Sequence, residues 1–269
     1  MRPEFKPLHA RMTGFTLVEL VVVIVVIAIL GGISVTFIKN SVLAYVNSEA
    51  YYELSDRADV SLRRMSRDIR NALPNSVWVS GDGLYVEFVP IKAGGRYKQD
   101  SLDFLTGNPH PYTFTVLGDM VPVGAGDQVV IYNLGIEGAD AYAGNTVRTI
   151  TGSTSSTLTF SGTMFPLPSP ASRFYVVNGA VIYACDLANK RLLMYSNIAI
   201  PSTPQVLPQH PTSFSGMTPS IVADDVTGCS FTYSQGVMQH SGVVTAELQL
   251  EKRGGVVRLL NLINVVNSP

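Results

Sequence analysis

Apolar positions along the chain follow three successive patterns. From Phe15 to Ile38 the run is continuously apolar or small, without alternation, and Glu19 is its only charge in 24 residues. Further on the period becomes helical. Ala58, Leu62, Met65, Ile69 and Ala72 recur at spacings of 4, 3, 4 and 3, one face of an α-helix, with Asp56, Asp59, Arg63, Arg64, Arg67, Asp68 and Arg70 on the other sides. Asp59 with Arg63 and Arg64 with Asp68 have the i,i+4 spacing of weak helical ion pairs. Pro74 disfavours helical geometry at Leu73, so "ALPNS" ends the helix. Unbroken from Phe15 to Leu73, such a helix would be about 88 Å long at 1.5 Å per residue; Gly31-Gly32 is where it would loosen.

Beyond Pro74 the period falls to two. "SVWVSGDGLYVEFV" alternates about a turn at Asp82-Gly83 and reads as a hairpin. "DQVVIYNLG" and "TVRTITGSTSSTLTFSG" read as strands with Gly/Ser turns. Asn178-Gly179 in "RFYVVNGAVIYACD" predicts a type I′ hairpin, and "RLLMYS" after Asn189-Lys190 extends it into a meander. Residues 200–220 are rich in Pro and Ser and read as a loop. "CSFTYS", "VVTAELQLE" and "VVRLLNLINVV" close the chain as strands. The expected fold class is α+β: a long N-terminal helix packed on one antiparallel β-rich domain of about 195 residues.

The first pattern requires a membrane. A buried strand of 24 residues is far outside the usual strand lengths, whereas a helix of that length spans a hydrocarbon layer of about 30 Å. Arg2, Lys6, His9 and Arg11 against a single Glu4 place the N-terminus in the cytoplasm and export the rest. The run is longer than the core of a secretory signal, and "AILG" is a poor cleavage site. Within it Glu19 is out of place, because a carboxylate in a span costs about 2.5–3.5 kcal/mol or more unless it snorkels or finds a partner.

Those residues carry a resemblance. "GFTLVEL" (Gly14 to Leu20), behind a basic leader and ahead of an apolar helix, resembles the class III signal of type IV prepilins. The resemblance implies cleavage between Gly14 and Phe15 by the prepilin peptidase, N-methylation of Phe15, and a mature chain of 255 residues. It also implies an assembly role for Glu19, which in that family is thought to pair with the α-amino group of a neighbouring subunit's Phe; a Pro found early in many major pilins is replaced here by Thr36. The implied organisation is a leader at 1–14, a membrane and assembly helix at 15–38, its amphipathic continuation at 39–74 and a periplasmic β domain at 75–269. "LRRMSRDIRNALPNS" resembles the helix end of large minor pilins and of J-type type II secretion pseudopilins. "GDQVVIYNLG", "DVTGCSFTY" and "VVNSP" resemble minor pilins of the mannose-sensitive haemagglutinin type. The implied partners are other minor and major pilins, the prepilin peptidase and an inner-membrane assembly platform.

The remaining chemistry adds little. With a net charge of −1 there is no basic footprint for nucleic acid. Cys185 and Cys229 are expected to bond in an oxidising periplasm, the alternative being two small buried hydrophobes. His9, His110, His210 and His240 have no metal-helix spacing, there is no CxxC, "GAGD" lacks the rest of a dinucleotide fingerprint, and no G-x-S-x-G elbow occurs. Asp224-Asp225 reads as a solvated loop before it reads as a calcium site, and Trp78 beside Asp82 as core before a sugar platform. No enzyme, cofactor or metal is expected; a carbohydrate-binding surface adhesin is the alternative from another class.

Overall fold

A computed structural model describes residues 14, 16–99, 112–205, 210–211, 213–235 and 241–268. The leader up to residue 13, Phe15, His9, His110 and His240 lie outside the described residues. The chain divides into two compact units, Met1–Ala50 and Tyr51–Pro269.

One helix, α1 (Leu17–Arg70), runs for 54 residues, continuing through Gly31-Gly32. In the first unit its apolar side chains are exposed on every side, from Leu17 to Val46. In the second unit the helix is one-faced, as its period predicts: Leu54, Ala58, Leu62, Met65 and Ile69 are buried. Asp59 pairs with Arg63 at 2.7 Å. Arg64 and Asp68 do not pair. Asp68 instead accepts the Tyr183 hydroxyl at 2.5 Å, and Arg64 reaches the Met194 sulfur. A buried tyrosine is a better partner for the carboxylate than a cation that water also solvates.

The β region is antiparallel throughout and has three parts. A five-stranded sheet has the order β1 (Trp78–Val79), β2 (Tyr85–Phe88), β9 (Ala180–Asp186), β10 (Arg191–Ile198), β11 (Ser220–Asp224). A three-stranded sheet is formed in sequence order by β12 (Val226–Ser234), β13 (Gly242–Lys252) and β14 (Gly255–Val265). Both sheets close on the apolar face of α1: Phe88, Tyr183 and Leu192 come from the first, Phe231, Leu248 and Ile263 from the second.

The third part was not expected. Between β2 and β9 the chain leaves the sheet and builds a closed six-stranded barrel from β3 (Ala93–Tyr97), β4 (Tyr112–Leu117), β5 (Gln128–Val130), β6 (Val147–Ser153), β7 (Thr157–Ser161) and β8 (Arg173–Val177). Tyr97, Phe114, Phe160 and Phe174 fill it. Fully buried Arg148 has no carboxylate partner among the described residues; its guanidinium donates to the carbonyls of Gly144, Val147, Thr163 and Met164 and lies 4.8 Å over the Phe165 ring. Burial pulls its pKa down to about 10.

The barrel corrects one expectation. Asn178-Gly179 does not join a hairpin: β8 pairs with β3 and β5, while β9 pairs with β2 and β10. The dipeptide is the corner where the chain returns from barrel to sheet. Glycine is needed there because φ is +127° and a Cβ would meet the Ile198 carbonyl oxygen at 2.7 Å. The other hairpins, at Asp82-Gly83 and Asn189-Lys190, form as the pattern predicts. A disulfide joins Cys185 of β9 to Cys229 of β12, with Cα atoms 5.8 Å apart, and so ties the two sheets that flank α1.

Candidate functional site

At the start of α1 the sequence Thr16-Leu17-Val18-Glu19 has the spacing of a capping box. Thr16 is the cap: its Oγ1 accepts from the Glu19 amide at 3.3 Å, and its carbonyl from the Leu20 amide at 3.2 Å. Glu19 therefore stands in the first turn, where a carboxylate meets the positive end of the helix dipole. Among the described residues no cation lies within ion-pair distance of it. A Cβ built on Gly14 meets nothing within 4 Å, and its φ is not in the left-handed region. Nothing described in the fold of this chain requires a glycine there.

Leu17 to Ile38 form the helix surface with no apolar face covered; Leu17 is 79% exposed. Among the described residues this is one helix long and apolar enough to cross a membrane. An apolar surface on all sides needs apolar surroundings on all sides, from lipid or from other such helices.

The second unit holds a cluster that sequence reasoning missed. Glu87 on β2 is 1% exposed and bonds His210 Nδ1 at 2.8 Å. The His210 ring stacks on Trp78 at 4.2 Å and tilts against Tyr142 at 4.6 Å. The loop that carries it is pinned further by Tyr85, whose hydroxyl donates to the Pro211 carbonyl, and by Phe214, stacked on Tyr195. Burial pushes Glu87 up from its ordinary value, with the His210 hydrogen bond acting the other way. Asp140 is half-buried and also pushed up by desolvation; two backbone amides and the nearby His210 oppose that shift. The one available signal was a carboxylate inside the apolar strand "YVEFV". Its partner is 123 residues away, beyond any local pattern.

The other candidates resolve into structural roles. Asp224 pairs with Arg191 at 3.2 Å and Asp225 with Arg57 at 3.4 Å, so neither is a carboxylate kept for a cation. Among the described residues no group of three or more His, Cys, Asp and Glu side chains is placed to hold a metal. Trp78 is half-buried, with one ring face against His210.

Residues 10–35 match the family described as the prokaryotic N-terminal methylation motif. No curated protein and no solved structure matches the chain. The matched segment contains Gly14, Thr16 and Glu19 and the first half of the exposed apolar helix. Such a motif marks a chain for the prepilin peptidase and for assembly through its N-terminal helix. The chain carries the N-terminal signal of a type IV pilin-like or pseudopilin-like precursor.

Proposed function

We propose that this chain is a minor pilin of the mannose-sensitive haemagglutinin type, a non-enzymatic subunit that primes or enters a type IV pilus. The prepilin peptidase cuts between Gly14 and Phe15, and Phe15 is methylated. The processed subunit sits in the inner membrane with the β domain in the periplasm and packs its helix beside those of other pilins. Glu19 carries this reading. It is a lone carboxylate at the head of a helical segment, Leu17 to Ile38, with no covered face, and no cation among the described residues neutralises it. The protonated Phe15 amine of a neighbouring subunit would supply the missing charge; methylation leaves it protonatable. The free glycine position at 14 supports the processing step, since open space in the fold leaves the requirement to the peptidase.

Mass analysis of the native protein tests the processing: residues 1–14 should be missing and Phe15 methylated, and an intact Met1 in cells with active peptidase sinks the reading. Glu19→Ala tests assembly. It should insert and be processed, yet crosslink weakly to other pilins, because stranding a buried amine costs about 3–5 kcal/mol. Glu19→Gln keeps the shape and should fail equally. Normal crosslinking in both would show that Glu19 only snorkels. A deletion strain that loses surface fibres but still secretes supports a pilus; the reverse phenotype assigns the chain to a type II secretion pseudopilus.

A further inference from the structure

β14 is the free edge of its sheet. It pairs with β13 over eleven residues without a bulge, and among the described residues no strand lies on its other side. An unprotected edge presents a row of backbone donors and acceptors, and proteins usually blunt it with Lys, Pro or a bulge. β14 has none of these between Gly255 and Val265. Its one charge, Arg258, is already neutralised by Glu247 at 2.6 Å. Its outward row is instead apolar: Val256, Leu260 and Leu262 on the strand, and Val266 just past it, are 44–58% exposed.

The sequence of this edge says what fits it. "VVRLLNLINVV" (Val256 to Val266) is a hydropathy palindrome about Asn261. If a second β14 lies antiparallel with Asn261 opposite Asn261, then Leu260 faces Leu262, Arg258 faces Asn264 and Val256 faces Val266, each pair occurring twice. On the inner face Leu259 meets Ile263 and Val257 meets Val265. Shifting the centre one residue either way, to Leu260 or to Leu262, sets Arg258 opposite an aliphatic side chain. Only the Asn261 register places like against like along the whole row. It is also an isologous contact, in which one residue stands opposite its own copy, so the hydrogen-bonding pattern of the two edges matches by symmetry.

We propose that β14 is a self-association edge, joining two copies of this chain into a continuous six-stranded antiparallel sheet centred on Asn261. The orientation restricts where the contact forms. Lys252 meets Glu53 near the start of β14, and Asn261 reaches the Leu62 carbonyl farther along, so β14 runs in the same sense as residues 53–62 of α1. In the antiparallel pair those helical segments run in opposite senses. Copies whose 53–62 segments run parallel do not make this contact, and it stands whether or not the proposed pilus role is correct.

Engineered cysteines in the full chain in detergent test it. The native pair is bonded, so a new thiol is the reactive one. Asn261→Cys should give a disulfide-linked dimer under mild oxidation, because directly opposed Cα atoms about 4.5–5.5 Å apart lie within disulfide range. Asn264→Cys should stay monomeric, since its own copy would be six residues away along the strand, about 20 Å. Leu260→Lys with Leu262→Lys sets like charges opposite one another and should weaken association about tenfold or more. Leu260→Lys with Leu262→Glu places opposite charges in the same register and should restore it. A retained native disulfide and an unchanged melting profile establish that these variants fold. Equal crosslinking at 261 and 264, or no dimer with Asn261→Cys in folded protein, overturns the proposal; failure of the Lys/Glu pair to rescue overturns the register.

Discussion

Replacing His210 by alanine removes the only described partner of the buried Glu87 carboxylate and a ring stacked on Trp78. A stranded carboxylate in a protein interior has a way out, which is to take up a proton. The charge-related loss therefore cannot exceed the free energy of protonating Glu87 at the ambient pH. From the ordinary glutamate value of 4.5, that ceiling is about 0.7 kcal/mol at pH 5 and about 3.4 kcal/mol at pH 7, at about 1.36 kcal/mol per pH unit. Lost ring contacts add about 0.5–1.5 kcal/mol that do not depend on pH. The sign follows from linkage. A group whose folded pKa is raised stabilises fully below its unfolded pKa, and that contribution is lost as pH rises towards the folded value. In the native protein the His210 hydrogen bond opposes the upward push of burial, and His210→Ala removes the opposition. The variant should therefore be mildly destabilised at pH 5 and increasingly so towards pH 7.

The assay is denaturant unfolding of the full chain in detergent at several pH values. Trp78 is the single tryptophan in the sequence and sits against His210, so its fluorescence reports this contact directly. Glu87→Gln in the His210→Ala background isolates the carboxylate from Asp140, which also feels His210. The double variant should keep the stacking loss and lose most of the pH slope. A destabilisation by His210→Ala that is equal at pH 5 and pH 7 would falsify the reasoning, because it would mean that the cost is packing alone.

Reducing the Cys185–Cys229 bond, or replacing both residues by serine, should lower stability by about 4 kcal/mol in the chain-entropy picture; the bond spans 44 residues and joins two sheets. An unfolding midpoint unchanged by reductant would refute it. Arg148→Lys should cost at least about 3 kcal/mol despite keeping the charge, because an ammonium has three donors and no planar fork for four converging carbonyls. A loss below about 0.5 kcal/mol in thermal unfolding would show that the barrel does not depend on that fork.

What was legible in the sequence was set by local periodicity. The apolar span, the face from Ala58 to Ala72, the Asp82-Gly83 hairpin and the three closing strands each carry their signal within about a dozen residues. The barrel does not. Asn178-Gly179 has the composition of a hairpin turn, yet the choice of partner for β8 lies with β3 and β5, some fifty to eighty residues earlier. A turn signal fixes that the chain turns, and pairing of the flanking strands depends on which distant edges are open. The same limit hid Glu87 and His210. Arg64 and Asp68 failed for the opposite reason: their i,i+4 spacing is a real local signal, but Tyr183 from β9 offers the carboxylate a partner sheltered from water.

The periodicity along α1 separates two requirements that one helix has to meet. Between Leu54 and Ile69 apolar residues keep to one face, and the sheets of the second unit cover that face. A polar substitution at Leu62 or Met65 therefore acts on folding and is felt by an isolated subunit. From Leu17 to Ile38 there is no face to cover, since every apolar position is exposed, and no surface within the described chain is offered to it. Its surroundings must be supplied from outside. Lipid satisfies the aliphatic side chains as well as neighbouring helices do, so these residues alone give little reason to leave the bilayer for a fibre. Glu19 breaks that balance. Lipid offers a carboxylate no counter-charge, whereas a bundle of like helices brings amino groups to the same depth. In the assembly role proposed for it, an acid that is a liability to the single subunit would give assembly a direction, which the aliphatic side chains around it do not.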